Sequence, residues 1–365
     1  MYRDETLLTQ LGNRVDHETG AISLPIHLST AYRHPTLAES TGYDYTRTKN
    51  PTRYVLEQGI AELEGGTHGF ACSSGMAAIQ LVLSLFQAGD HLLVPTDIYG
   101  GTYRLFDHLS QQYQIEISYL NFKDTVALKQ AIRSTTKAIF LETPTNPLLE
   151  ELDIAEVSSM ARSFDLKVIV DNTFYTPYLQ KPLTLGADIV IHSATKYLAG
   201  HNDVLAGLVV SKDSEISDRL EVLHNNIGAT LSPFDAWLVI RGMKTLPLRL
   251  KQQQENAKHI VAYLQSHDKI TTVIYPGKGG MLSFHLKKQA WVKPFLEQLR
   301  IISFAESLGG VESLITYPTT QTHADIPEQE RIARGIDQTL LRFSIGIEAI
   351  EDIILDLETS LSKLK

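Results

Sequence analysis

The chain has 365 residues, with 33 Lys+Arg against 42 Asp+Glu, so its formal net charge is −9. With 43% hydrophobic and 21% charged residues it has the composition of a globular protein, not of a disordered, collagen-like or disulfide-built chain. The acidic balance argues against a nucleic-acid or anionic-membrane partner, both of which need a basic face. The only cysteine, Cys72, excludes an intrachain disulfide and reads as a small buried apolar residue. No run approaches the roughly 18 to 20 apolar residues of a membrane helix, and the polar start Met1-Tyr2-Arg3-Asp4-Glu5 is unlike a signal peptide. The expectation is a soluble, cytoplasmic protein.

Residues 1–50 show little periodicity and many Thr, Ser, Asn and Gly, which predicts an extended arm. An arm of that length has to lie on something, either its own body or a neighbouring subunit. From Pro51 the pattern becomes helical and runs to Leu63, with Gly65-Gly66 as a stop. Seven short apolar runs follow, over 69–72, 91–94, 115–119, 138–141, 167–170, 189–191 and 205–210, alternating with helical segments. Several are nearly continuous β-branched stretches, the mark of strands covered on both faces. The alternation predicts an α/β domain over 51–250 built on a mostly parallel sheet. A long connecting helix is expected over 244–265. Runs at 272–275, 281–286 and 340–345, with helical pieces near 288–299 and 347–364, predict a smaller α+β domain over 251–365.

Three segments carry chemistry. In Val168-Ile169-Val170-Asp171 an apolar strand ends in a carboxylate, the position where open α/β sheets bind ligands. A helix-capping or turn aspartate is the alternative. In Ile189-Val190-Ile191-His192-Ser193-Ala194-Thr195-Lys196 a strand ends in Ser-x-Thr-Lys. An amine there, against apolar walls, would be desolvated and freed for covalent chemistry, although on this segment alone a surface lysine on a loop is the better reading. In Ala71-Cys72-Ser73-Ser74-Gly75-Met76-Ala77-Ala78 small residues lead from a strand into a helix expected over 77–86. Free amides at a helix start favour a phosphate, and close helix–strand packing is the alternative. A phosphate cradle, a carboxylate for a ring nitrogen and a reactive lysine form together the set that pyridoxal phosphate (PLP) needs. Arg342 adds an independent argument. It interrupts the apolar run Leu340-Leu341-Arg342-Phe343, and a buried guanidinium needs an anion.

The sequence resembles the Cys/Met-metabolism family of PLP enzymes, the trans-sulfuration enzymes of fold type I. The matching stretches are Tyr45-Thr46-Arg47 with Asn50-Pro51-Thr52-Arg53, Ser73 to Ala78, Asp97-Ile98-Tyr99-Gly100-Gly101-Thr102, and Glu142-Thr143-Pro144-Thr145-Asn146-Pro147. Val170 to Thr173, His192 to Tyr197, Glu306 to Ser313 and Arg342 to Gly346 continue the series in family order. Where many relatives carry a longer stretch, Tyr275-Pro276-Gly277-Lys278 leads straight into Gly279-Gly280-Met281.

The resemblance implies the aspartate-aminotransferase-like fold and a role for each matching residue. Lys196 would carry PLP and then shuttle protons. Asp171 would pair with the ring nitrogen, and Tyr99 would stack on the ring and join the catalysis. The Gly75 and Met76 amides with the Ser193 and Thr195 hydroxyls would bind the phosphate. Asn146 would lie near the phenolate oxygen. Tyr45 and Arg47 would reach the phosphate of the neighbouring subunit, making a homodimer the catalytic unit within a homotetramer. Arg342 would hold the substrate α-carboxylate, helped by Ser307, with Arg53, Arg104 and Glu312 toward the distal end. The implied reaction is γ-replacement on an O-acyl-homoserine by cysteine or sulfide, in methionine biosynthesis. Cystathionine β-lyase and γ-lyase activities are the alternatives within the family. A nicotinamide-dependent Rossmann dehydrogenase is disfavoured by the missing G-x-G-x-x-G. A catalytically dead binding protein of the same fold is disfavoured by the intact Lys196, Asp171 and Arg342. His17, His27, His34, His91 and His323 lack ligand spacing, so no metal is expected.

Overall fold

The computed structural model describes residues 2–324 and 326–365. Seven strands form the larger sheet: β1 (His68–Cys72), β2 (His91–Pro95), β3 (Glu116–Leu120), β4 (Thr136–Glu142), β5 (Lys167–Asp171), β6 (Ile189–Ser193) and β7 (Gly207–Ser211). Their spatial order is β1-β7-β6-β5-β4-β2-β3. The pairs β2/β3, β2/β4, β4/β5 and β5/β6 are parallel, and only β7 runs against its neighbours. Burial explains the sequence pattern. Strands β2, β5, β6 and β7 are covered on both faces, which is why they read as unbroken apolar runs. Two hydrophobic clusters, one on each face, sandwich the sheet.

A helix at Leu246–Ser266 joins this sheet to a second one. The second sheet comprises β8 (Ile270–Ile274), β9 (Met281–Leu286), β10 (Ser303–Phe304), β11 (Leu314–Thr316) and β12 (Leu340–Ser344), in the order β10-β11-β12-β9-β8. Strand β12 lies at its centre, paired antiparallel with both β11 and β9.

Several expectations need correction. Residues 1–50 are not uniformly extended: α1 (Asp4–Gln10) buries Leu8 in the core, and Lys181 bonds Asp4 at 2.8 Å. The Trp237 Nε1–H holds the Leu24 carbonyl at 3.0 Å, so the first half of this segment packs on its own body. Helix α2 (Pro51–Glu64) starts on Asn50, whose side chain accepts from the Thr52 and Arg53 amides, and stops at Gly65 in the left-handed region. Helix α3 runs over Gly75–Leu83, starting two residues before the expected position. It starts there because the Ser74 hydroxyl caps the Ala77 amide at 3.1 Å. Helix α4 covers Gly100–Tyr113. Strand β7 begins at Gly207, since Leu205 is exposed beside the cavity described next.

Candidate active site

The carboxyl ends of the parallel strands open into a cavity of about 340 Å³. One wall comes from the ends of β4, β5 and β6, another from the start of α3, and a third from β12 and the loop before β11. Lys196, Asp171, Tyr99, Asn146, Gly75, Met76, Ser193, Thr195, Ser307 and Arg342 all line it, as do Glu142, Thr173 and Glu306.

Asp171 ends β5. Its Oδ1 accepts from the Thr173 amide at 3.0 Å and the Thr173 hydroxyl at 2.5 Å. The Thr173 Oγ1 in turn accepts from the Ser193 amide at 2.8 Å, which ties this carboxylate to the end of β6. Burial raises the Asp171 pKa, against the Thr173 hydrogen bonds and the nearby His192.

Lys196 follows β6. Its Nζ donates to Ser307 Oγ at 3.0 Å, and no carboxylate pairs with it among the described residues. Burial, with the Arg342 charge next, pulls its pKa down to about 8. A lysine with an ordinary pKa near 10.4 is almost wholly protonated at neutral pH; this one has a sizeable neutral fraction, available as nucleophile or base.

At the start of α3 the amides of Gly75 and Met76 have no carbonyl of a preceding turn to bond. A Cβ at position 75 would sit 2.7 Å from Ser193 Cβ, so only glycine lets the helix start this close to the β6 end. The Thr195 hydroxyl is fixed by the Ala206 amide at 3.1 Å and the Ala206 carbonyl at 3.3 Å. Tyr99 precedes α4 and its ring folds over Gly101, where a Cβ would lie 2.5 Å from Tyr99 Cε1.

Arg342 is 2% exposed. It donates to Asn146 Oδ1 at 2.9 Å, the Ser307 carbonyl at 3.1 Å and Thr316 Oγ1 at 3.0 Å, while its Nε is buried without a partner. Every acceptor is neutral. A buried cation held only by neutral groups beside a cavity is a site for an anion. Burial lowers its pKa to about 10, which leaves it charged at neutral pH. Ser307 serves both cations, through its hydroxyl to Lys196 and its carbonyl to Arg342, and its φ of 98° is in the left-handed region.

A family model described as "Cys/Met metabolism PLP-dependent enzyme" matches residues 5–362. The chain belongs to this family. A cystathionine gamma-synthase of Haemophilus influenzae is 58% identical over 100% of this chain and 99% of its own length. A cystathionine gamma-synthase/O-acetylhomoserine (thiol)-lyase of Bacillus subtilis is also 58% identical, covering 99% of this chain and 97% of its own. The crystal structure of a cystathionine gamma synthase from Xanthomonas oryzae pv. oryzae, in complex with aminoacrylate and cysteine, superposes with a TM-score of 0.97 at 42% identity. It covers 99% of this chain and 98% of that one. The fold is therefore fold type I, and this Cys/Met metabolism enzyme uses PLP.

The residues present fit that cofactor. The glycine at position 75 with the unbonded amides of α3, the deep Asp171 carboxylate and the neutral-prone Lys196 match three different parts of PLP: its phosphate, ring nitrogen and aldehyde. Among the described residues no group of three or more His, Cys, Asp or Glu side chains could hold a metal ion. No helix among them is long and apolar enough to cross a membrane.

Other expected contacts are placed differently in this PLP-dependent enzyme. Arg53 does not reach the cavity. It is fully buried on α2, bonded to Glu57 Oε1 at 3.2 Å, the Arg47 carbonyl at 3.1 Å and the Leu231 carbonyl at 3.4 Å. The buried Glu57 consumes its charge, which corrects the distal-substrate expectation for this chain's own site. Arg104 lies exposed on α4, outside the lining residues. Glu312 lines an adjoining cleft and accepts from Asn202 Nδ2 at 2.7 Å. Tyr45 and Arg47 also lie away from their own cavity, with Arg47 bonded to the Asn225 carbonyl at 2.6 Å and side chain at 3.0 Å. Asn146 holds Arg342, a partner that its sequence context does not announce. Glu142 and Glu306 escaped singling out. Glu142 was legible by the rule that picks Asp171, because it too ends an apolar strand run.

Proposed function

We propose that this enzyme catalyses γ-replacement on an O-acyl-homoserine, joining cysteine to give cystathionine or sulfide to give homocysteine. The reading rests above all on Arg342 and Lys196 meeting through Ser307, an anion site 2% exposed beside an amine of depressed pKa. Similarity over nearly the full length to two cystathionine gamma-synthases supports the synthase direction.

PLP, when bound, supplies an electron sink for negative charge at the substrate's reacting carbons. Asp171 would keep the ring nitrogen protonated, and Gly75, Met76, Ser193 and Thr195 would hold the phosphate. Tyr99 would cover the ring face. Arg342, fixed by Asn146 and Thr316, would bind the α-carboxylate and so present the Cα proton to Lys196 Nζ. Lys196 would take that proton and return one later, with Ser307 orienting its amine. In the net exchange the acyl-O–Cγ bond breaks, the carboxylate departs with the electron pair, and the thiol sulfur bonds Cγ. The thiol proton leaves with the acid. Tyr45 and Arg47 would complete the phosphate site of a neighbouring subunit, within a homodimer that pairs into a homotetramer. The buried Cys72 fits a cytoplasmic setting.

The test is a substrate panel on the PLP-loaded enzyme. O-acetyl- or O-succinylhomoserine with cysteine should yield cystathionine, while cystathionine alone should turn over slowly. Rapid release of pyruvate or 2-oxobutyrate from cystathionine, without cystathionine synthesis, would overturn the synthase reading in favour of a lyase.

A further inference from the structure

Glu142 belongs to the cavity wall, yet none of the roles above uses it. It is the Cα partner of Asp171 across the parallel β4/β5 ladder, so both side chains rise from the same face of the sheet. Both line the cavity, and Glu142 is 6% exposed. One backbone amide is committed to it: the Tyr99 N–H donates to Glu142 Oε2 at 3.0 Å. The charged groups that bear on the pair come from three sides. Asp97 follows β2, the next strand along, and burial pushes its carboxyl up to about 6. His192 on β6 bears on Asp171, and Arg342 on β12 feels Glu142. His323 is held neutral, with burial lowering its pKa to about 4. Three carboxylates thus share the ends of three adjacent strands, and no side-chain cation forms an ion pair with any of them among the described residues. Burial, with Asp171 next, raises Glu142 well above the usual carboxylate range, and Asp171 is raised less emphatically. Two adjacent buried carboxylates retain a proton between them, and a protonated ring nitrogen held against Asp171 would leave that proton on Glu142.

We propose that Glu142 is a positioning residue that carries the proton of this carboxyl pair, leaving the charge on Asp171, and that pins the Tyr99 main chain at the cavity wall. The inference rests on the reading of Asp171 as the partner of the ring nitrogen. Glu142 exchanges no proton with the substrate. Its neutral carboxyl accepts from the Tyr99 amide and spares Asp171 a second negative charge alongside.

The experiment compares E142Q and E142A as PLP-loaded proteins. Glutamine keeps the length, neutrality and acceptor oxygen, whereas alanine keeps none of the last. An infrared difference spectrum of wild type against E142Q near pH 7 should contain a protonated-carboxyl C=O stretch. The visible circular dichroism of bound PLP, which senses the ring over it, should be retained in E142Q and changed in E142A. The PLP dissociation constant should rise about tenfold in E142A, the scale of one lost hydrogen bond, and clearly less in E142Q. No carboxyl band lost in E142Q would overturn the protonation assignment, and E142Q matching E142A would overturn the positioning. If E142A does not fold, the infrared comparison with E142Q still decides the protonation. Asp171→Asn separates the two readings. A visible pH profile of bound PLP unaltered in that variant would sink the role of Asp171 itself. An altered profile, with E142Q failing its tests, would sink only the role of Glu142.

Discussion

The two sheets contribute to the cavity in opposite ways. The larger sheet supplies residues from its strand ends: Glu142, Asp171 and Ser193 are the last residues of β4, β5 and β6. The topology of parallel strands gathers those ends, so the chemistry sits beyond a largely apolar core. The smaller sheet instead supplies Arg342 from the middle of its central strand, where all flanking residues are buried. Placing a cation there costs desolvation that only a nearby anion or well-aimed acceptors offset. On the proposed function the larger sheet would hold the reactive groups and the smaller sheet the grip.

Variants on the two sides should therefore fail differently. Lys196→Ala should lower turnover by about a thousandfold or more, the scale of a lost general acid–base. PLP should still bind through the phosphate cradle, as seen by fluorescence titration, and borohydride reduction of the wild type should label Lys196 and no other lysine. The depressed Lys196 pKa has its own signature. Capture of PLP by the cofactor-free protein needs the neutral amine, so its rate should rise with pH and level off above about 8. A rise continuing to the ordinary lysine range would mean the amine is not desolvated. On the other side, Arg342→Ala should raise KM for the amino-acid substrate roughly 30- to 4000-fold, the cost of stripping one partner from a buried charge pair, and spare PLP binding. Asp171→Asn should lower kcat by about a hundredfold, one hydrogen bond to a charged group, with KM little changed. Equal effects of these two variants on kcat and KM would erase the distinction between the sheets.

The smallest effect concerns the arm. Arg47→Ala should weaken PLP retention about tenfold while leaving thermal stability nearly intact. Mixing Arg47→Ala with Arg342→Ala tests the site shared between subunits. One site of a mixed dimer would carry both lesions and the other neither, so subunit exchange should restore up to roughly a quarter of wild-type activity. No recovery after demonstrated exchange would count against the site shared between subunits.

How much of this was legible in the sequence depended on the length of each signal. The large-sheet strands stand out because burial on both faces makes them continuous apolar runs, and β10 and β11, of two and three residues, are too short to show any period. Helix α1 escaped because seven residues carry barely two turns, and its stability comes from contacts such as the Lys181–Asp4 pair that are remote in sequence. Asp171 and Arg342 were visible as charges breaking apolar strands. Arg53 lies away from its own cavity because the carboxylate four residues on pairs with it, which a motif position does not announce. Glu142 satisfied the same rule as Asp171, yet its partnership depends on which strands are neighbours, which no local pattern encodes.

Ser307 sets the terms on which this enzyme can be rebuilt. One backbone turn in an unfavourable conformation fastens Lys196 of the larger lobe and Arg342 of the smaller one, the proposed base and anion grip, to the same atom cluster. A chimera that exchanged the smaller lobe with that of a relative would thus transplant an alignment along with a binding preference. The seam has to fall outside 303–344, so that the serine, its strained turn and Arg342 move as a single cassette. A substrate-specificity graft cut between the serine and the arginine should bind its amino acid and still misdirect its proton.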